Sequence, residues 1–477
     1  KGVIGGSSVE TIAHLGPRAF GEIGGAIVNV VLFVLSNLPA SSSHNITSFR
    51  IISPNTPAAK DNLLRSTIYD NQHPNRYYTS QSELKNIYES PVAYWLAEEY
   101  LRLFEDLPPI KEYALVREGL HTTDNNRYLR CFWEVPRSYD RWIPYIKGGG
   151  YKRWSGLEWL TVDWEGDGTR IRSMKAPVIP SYDLYFKANF TYTDIANGVM
   201  GVRYFPSGRI FDAKGPVISL IDRTKGGCAS ILNSRIATYL LRALSPNLQF
   251  RTGYVNNIPI PNNFDRLSVI ENVIIPLSLS LTEQSILESC FALHREKQPQ
   301  NSIRACYLCL LESTVENITS ILYNLSQNAI NSCLAETGTP AGFYPLIAGH
   351  DVLPPYPDDL PPLPAEVLDY LAVHKRITPS PDELARIRAR LRQLYEAGPG
   401  ATVEVEEEPA AGDGDGEAVV VGARIPIPPE TFLEELSQKM ELHPITVYHL
   451  LQDGIEREGW RCLPEERRVL ADRYTVI

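Results

Sequence analysis

The chain has 477 residues, which at roughly 100–200 residues per domain suggests two to four domains and leaves ample length for a buried core. Hydrophobic residues make up 43%, charged residues 21% and aromatics 10%, a composition that excludes bulk disorder. The formal net charge of −10, taken whole, argues against a nucleic-acid partner.

The first 65 residues are glycine-rich at 21–25 and then apolar from 26 to 35 except for Asn29. That run reaches about half of the roughly 20 residues a bilayer span needs. It predicts a strand covered on both faces, as in a parallel α/β sheet. No membrane segment is expected. Residues 82–106 predict a helix pair, with Ser90-Pro91 as the start signal of the second helix, because proline's missing donor costs nothing in the first turn.

Residues 111–260 change character. Five of the seven tryptophans fall between Trp133 and Trp164, and β-type segments at 128–135, 158–163, 184–193, 202–205 and 217–221 alternate with Gly and Pro turns. This stretch holds 21 Lys+Arg against 13 Asp+Glu, a net of +8, so the remaining 327 residues carry −18. An acidic total therefore conceals a basic domain.

Helical spacing follows at 230–245, with a strand-like exit at 253–261, then at 282–294 and 314–335. Six prolines between Pro354 and Pro364 predict a semi-rigid extended linker. Ser380 and Glu383 carry capping-box spacing at the head of a charged helix to residue 397. Acid-rich residues 398–429 predict a disordered tether, and 430–475 a helical block.

Seven cysteines, an odd number without regular spacing, speak against a disulfide framework and for a reducing compartment, with the cytoplasm as the expected location. Cys306 and Cys309 lie in an apolar helical stretch with no second pair at zinc spacing, which predicts a structural helix and no metal. The sequence has no phosphate loop, no Gly-x-Gly-x-x-Gly after a strand and no His-Glu-x-x-His. Single histidines such as His14 and His121 read as structural hydrogen-bonders. Pro354-Pro355-Tyr356 lacks the polar residue that would precede it in an amino-group methyltransferase tetrapeptide, because Leu353 stands there.

The positive signal is residues 141–154 (RWIPYIKGGGYKRW), where rings and cations surround a triple glycine. Cations neutralise phosphates, rings stack, and a glycine loop lets backbone N–H groups approach a phosphate or groove wall. From these residues alone two readings stand: a nucleic-acid surface, or core tryptophans with basic decoration. Residues 431–451 have helix-turn-helix phrasing, but the acids around them favour an ordinary helical hairpin.

Longer strings decide further. Residues 13–25 (AHLGPRAFGEIGG), 90–95 (SPVAYW), 119–135 (GLHTTDNNRYLRCFWEV), 147–154 (KGGGYKRW) and 429–437 (PETFLEELS) occur in order. The chain thereby resembles the large adenine-specific DNA methyltransferases of bacterial phage-defence systems, the PglX proteins of BREX and the adenine methylase of DISARM, kin of Eco57I-type restriction-modification enzymes. The resemblance implies a mixed α/β multidomain protein. Residues 1–65 would be the terminal part of a Rossmann-like methyltransferase core, 66–110 a helical connector and 111–261 a mixed β-rich target-recognition domain. Residues 262–350 would be a helical spacer, 351–429 Pro-rich and acidic linkers with one helix, and 430–477 a C-terminal helical block.

It also implies a parent enzyme that uses S-adenosylmethionine to mark host DNA at adenine N6. The cofactor motif and Asn-Pro-Pro-Tyr are absent from this chain, so by itself it is expected neither to bind the cofactor nor to transfer a methyl group. Double-stranded DNA is the expected partner, other phage-defence proteins further candidates, and Arg127, Arg130, Lys147, Tyr151, Lys152, Arg153, Arg203 and Lys214 the expected DNA contacts. A non-catalytic or split DNA-binding subunit, and the specificity half of a fused restriction enzyme, remain alternatives.

Overall fold

The computed structural model describes residues 6–20, 29–85, 87–88, 91–136, 141–174, 179–195, 198–222, 224–245, 249–290, 299–400 and 425–462, without the side chains of 284–290 and 299–301. The first region is a four-stranded sheet in the order β2-β1-β3-β4, made of β1 (Ser8–Gly16), β2 (Val30–Ser36), β3 (Asn45–Arg50) and β4 (Arg76–Ser80). β1 runs parallel to β3 and antiparallel to β2, so the sheet is mixed. β2 corrects the expectation of a strand buried on both faces. Val31 to Leu35 are 38–62% exposed, because β2 is the sheet edge and both of its faces stay open to solvent. Residues 21–28, with the expected glycine-rich turn, lie outside the described residues.

The helix expected from Pro91 begins instead at Glu98 and runs to Asp106. Ala93, Tyr94 and Leu96 are all buried, and a surface helix could not turn three of four successive residues inward. Tyr94 meets Trp95 and Tyr77 edge-on at 5.1 and 5.5 Å and hydrogen-bonds with His14 Nδ1 at 3.0 Å.

Residues 114–220 form two further four-stranded sheets from β5 (Ala114–Arg117), β6 (Leu129–Cys131), β7 (Trp142–Ile146), β8 (Leu160–Asp163), β9 (Asn189–Tyr192), β10 (Val202–Phe205), β11 (Ile210–Phe211) and β12 (Val217–Leu220). Their orders are β10-β9-β12-β5, all antiparallel, and β11-β7-β8-β6. The β11 sheet has a small core of its own around Tyr128, Tyr145, Ile146, Val162, Trp164 and Phe211. Of the clustered tryptophans, Trp154 and Trp164 are core residues at 2% and 4% exposure, whereas Trp133 is 53% exposed.

The helical spacing at 230–245 resolves into two helices, Cys228–Leu232 and Arg235–Leu244. Ser234 caps the second through Ala237 N, and the Asn233 side chain pairs with both backbone groups of Val202, tying the break to β10. The exit segment is extended as expected: Ile110 N–H donates to Ile258 O, and Ile260 N–H to Pro108 O, each at 2.8 Å. Helices Ser268–Cys290, Pro299–Leu322, Gln327–Thr337 and Pro381–Ala397 follow, the last with the capping box of Ser380 and Glu383 in place. The expected helix at 314–335 is broken before Ser326, which caps a new one.

The Pro354–Pro364 stretch is extended, but it is docked. Tyr307 donates to Pro354 O at 2.6 Å and packs edge-on to Tyr356 at 5.0 Å. The pair Phe432–Met440 and Pro444–Glu458 is a packed hairpin, with Ile445, Thr446, Val447, Tyr448, Leu450 and Leu451 of the second helix buried. One continuous apolar core runs from Val9 in the first sheet to Trp460 after that hairpin. Residues 401–424, most of the expected acidic tether, and 463–477 lie outside the described residues. Among those described, no helix is long and apolar enough to cross a membrane.

Candidate nucleic-acid interface

The register of the β11-β7-β8-β6 sheet decides which side chains share an end. Cys131 lies opposite Leu160, and Leu160 opposite Tyr145; at the other end Leu129 lies opposite Val162, and Val162 opposite Ile143. The loop at 147–152 leaves β7 beyond Ile146, so it shares one end with residues 132–134. Arg127 and Arg141 share the opposite end. The eight residues expected to contact DNA are therefore not one patch.

At the first end, the triple glycine divides into a fixed part and a free part. A Cβ on Gly148 would run into the Lys214 carbonyl oxygen, and one on Gly201 into that of Lys152, so the loop is seated at both margins by glycine contacts. Gly149, at φ +126°, has open space around it, and Gly150 is also left-handed at φ +72°. Lys147 is half-buried, Lys152 is 40% exposed and 3.7 Å from Glu430 Oε2, and Lys214 is 50% exposed and 2.8 Å from Asp194 Oδ2. Phe132 and Trp133, an edge-on pair at 4.9 Å and 39% and 53% exposed, complete this end. Sequence reasoning placed Phe132 and Trp133 in a strand; the signal that could have found them is two adjacent large rings, of which a half-buried strand would bury only one.

Arg153 is the correction. It is 2% exposed and meets Glu312 at 3.0 Å, Glu430 at 3.3 Å and Glu434 at 3.3 Å, so its charge is spent inside the protein. Trp154 Nε1 donates to the other oxygen of Glu312 at 2.7 Å, which holds that indole in the core at φ +66°. Burial, with Glu434 and Glu430 close by, pushes the Glu312 carboxyl up to about 8 against the opposing pull of Arg153. This cluster clamps the segment to helix Pro299–Leu322 and to the C-terminal hairpin. The Tyr151 hydroxyl is likewise closed off from solvent.

Arg203, on β10, is 1% exposed and lies beneath the loop instead of on it. Arg127 is exposed and stacked over Tyr128 at 5.3 Å. Arg130 caps its own short helix by donating to Asn126 O at 2.6 Å. At that opposite end Arg141 and Arg170 converge on buried Asp163, at 3.1 and 2.6 Å, and Arg141 also lies 3.8 Å from Glu165, a cluster of two cations and two acids that sequence reasoning passed over.

Cys306 and Cys309 sit in helix Pro299–Leu322 at 1% and 2% exposure, and burial pushes both thiols up, away from the thiolate form that metals and oxidants require. No group of three His, Cys, Asp or Glu among the described residues is placed to hold a metal ion.

No family model matches the chain. It is 32% identical over 266 residues to the adenine-specific methyltransferase BrxX of Escherichia coli O9:H4 (strain HS), covering 53% of this chain and 21% of that protein. About half of this chain is thus similar in sequence to an adenine-specific methyltransferase. The similarity repeats at 31% identity over 274 residues with the adenine-specific methyltransferase PglX of Lacticaseibacillus casei (strain Zhang), over 52% of this chain and 22% of that protein. The resemblance read from the strings is thus borne out. The chain spans about a fifth of the length of BrxX and of PglX. Among solved structures, the Type IIL restriction-modification enzyme MmeI in complex with DNA aligns at a TM-score of 0.37 and 11% identity, over 69% of this chain and 45% of that one.

Proposed function

We propose that this chain is the target-recognising part of a phage-defence DNA adenine-N6 methyltransferase, and that residues 111–261 bind duplex DNA through the sheet end carrying the 147–152 loop. The observation that carries the reading is the similarity of half the chain to BrxX and PglX. The open position at Gly149, Lys147, Lys152, Lys214 and the exposed Phe132–Trp133 pair support the choice of this end. Lysines there neutralise phosphates, and the aromatic pair offers a wedge or stacking platform.

S-adenosylmethionine is the methyl donor the relatives' names imply, and the described residues of this chain do not fit it. β1 pairs with β3 without a glycine-rich turn onto a helix among the described residues, and β3 is followed by Pro57–Tyr69, whose cap is occupied by Thr56. Residues 1–65 form the margin of a larger methyltransferase sheet, which accounts for apolar residues left bare on β2.

Methylation-sensitive sequencing of cells with and without the complete gene tests the reading. A new N6-methyladenine motif is expected, and it should change when residues 111–261 are exchanged for the matching segment of a relative. A genome without any such motif contradicts the proposal.

A further inference from the structure

Arg203 lies beneath the loop with most of its hydrogen-bonding capacity unused. A guanidinium offers five N–H donors. Here Nη1 reaches Thr193 Oγ1 at 3.2 Å, while Nε and Nη2 are closed off from solvent and find no acceptor among the described residues. Unmet buried donors on a charged group cost free energy, and such groups persist at sites that a ligand completes. The Arg153 carboxylates do not complete this one: Glu430 and Glu434 are already engaged by Arg153, and Glu430 also by Lys152.

The covering loop is seated at its margins and has room for a side chain at its centre. Thr193 donates its hydroxyl proton to Gly150 O at 3.1 Å, so the one side-chain partner of the Arg203 guanidinium among the described residues is also a tie to the loop. Gly148 and Lys152 are held by close backbone approach, whereas a Cβ added at Gly149 would meet nothing within 4 Å. Nε and Nη2 form the edge of a guanidinium that matches two oxygens of one oxyanion. Lys147, Lys152 and Lys214 around the loop bias that oxyanion toward a polyanion.

We propose that Arg203 is a masked phosphate subsite. When duplex DNA docks, the centre of the loop lifts, Thr193 loses its tie to Gly150, and Nε and Nη2 take the two non-bridging oxygens of one backbone phosphodiester. This inference rests on the DNA-binding reading above.

The test uses the 477-residue chain, a short duplex and a salt titration, comparing the parent with R203M, in which an apolar side chain of similar length fills the same space. R203M should bind about tenfold more weakly, the scale of a charge-assisted contact, and its log K against log salt slope should fall by about 0.9, one phosphate's worth. Its melting temperature should equal or exceed the parent's, since an unmet buried charge has been removed. Unchanged affinity and slope in R203M, with the parent binding DNA, overturn the subsite alone. A melting temperature well below the parent's overturns it as well, by making the guanidinium structural. If inorganic phosphate raises the parent's melting temperature but not that of R203M, and the DNA slope does not change, the free ion is the ligand and the phosphodiester assignment falls. Absence of DNA binding by the parent overturns the inference and the reading on which it rests.

Discussion

Arg153 and Arg203 are both closed off from solvent, and they lie on segments joined by a backbone bridge between Trp154 and Arg203, yet their surroundings are opposite. Three carboxylates converge on Arg153, whereas one hydroxyl serves Arg203. Burial alone does not tell what a basic residue does; the count of partners does. A saturated guanidinium is a clamp, and an unsaturated one is a site waiting for its acceptor. The same division runs through the loop, where Gly148 is required by packing and Gly149 is free.

The largest effect that could break this comparison is expected from R153M. It leaves Glu312, Glu430 and Glu434 without their cation and should cost about 3–5 kcal/mol in denaturant unfolding. Unfolding at the parent's midpoint would show that the cluster is no clamp. Next comes the glycine pair. G148A drives a methyl group into the Lys214 carbonyl and should cost about 1–3 kcal/mol together with DNA affinity. G149A, strained only by its φ of +126° with open space around it, should cost about 1 kcal/mol. Equal losses in the two variants would erase the distinction between fixed and free glycines.

A smaller effect sharpens the account of the clamp. The Glu312 carboxyl stands at about 8 in the folded chain against an ordinary 4.5, so the folded form holds a proton that the unfolded form releases. Stability from this group is complete below pH 4.5 and is lost as pH rises through 8. E312Q cannot titrate, so its melting temperature should gain on the parent's between pH 5 and 8. A constant difference across that range would remove Glu312 as the titrating member. His443 acts in the other direction. Burial, with His374 and Arg376 nearby, pulls its imidazole down to about 3, so its contribution is present above pH 6.5 and is lost as pH falls toward 3. H443N should flatten the acid limb of the stability profile.

Local rules made much of the fold legible. The capping box at Ser380 and Glu383 and the strand Val202–Phe205 stand where the sequence places them, whereas the break at Asn233 and Ser234 inside the helical spacing of 230–245 is tied to Val202, a partner 31 residues away. Long-range partners were not legible. The acids that claim Arg153 lie 159, 277 and 281 residues away, so a basic residue in a basic stretch gave no sign of being buried. The apolar run at 26–35 failed for a related reason: hydrophobicity predicts burial, but β2 has a neighbour on one side only. Ser90-Pro91 misled because three inward side chains outweighed a start signal worth about 1 kcal/mol. For the site, the loop was legible in composition, whereas the separation of Arg127 from Lys147 and Lys214 required the sheet register.

The central claim is that duplex DNA docks on the sheet end bearing Lys147, Lys152 and Lys214. It is tested most directly by titrating the binding of a short duplex against salt for the parent chain and for the K147A/K214A variant. The parent should bind with a steep slope, and the variant, with unfolding free energy within about 0.5 kcal/mol of the parent, should lose about 1.8 from it, two phosphates' worth. An unchanged slope, or an equal loss from R127A/R141A at the opposite end of the sheet, would contradict the account.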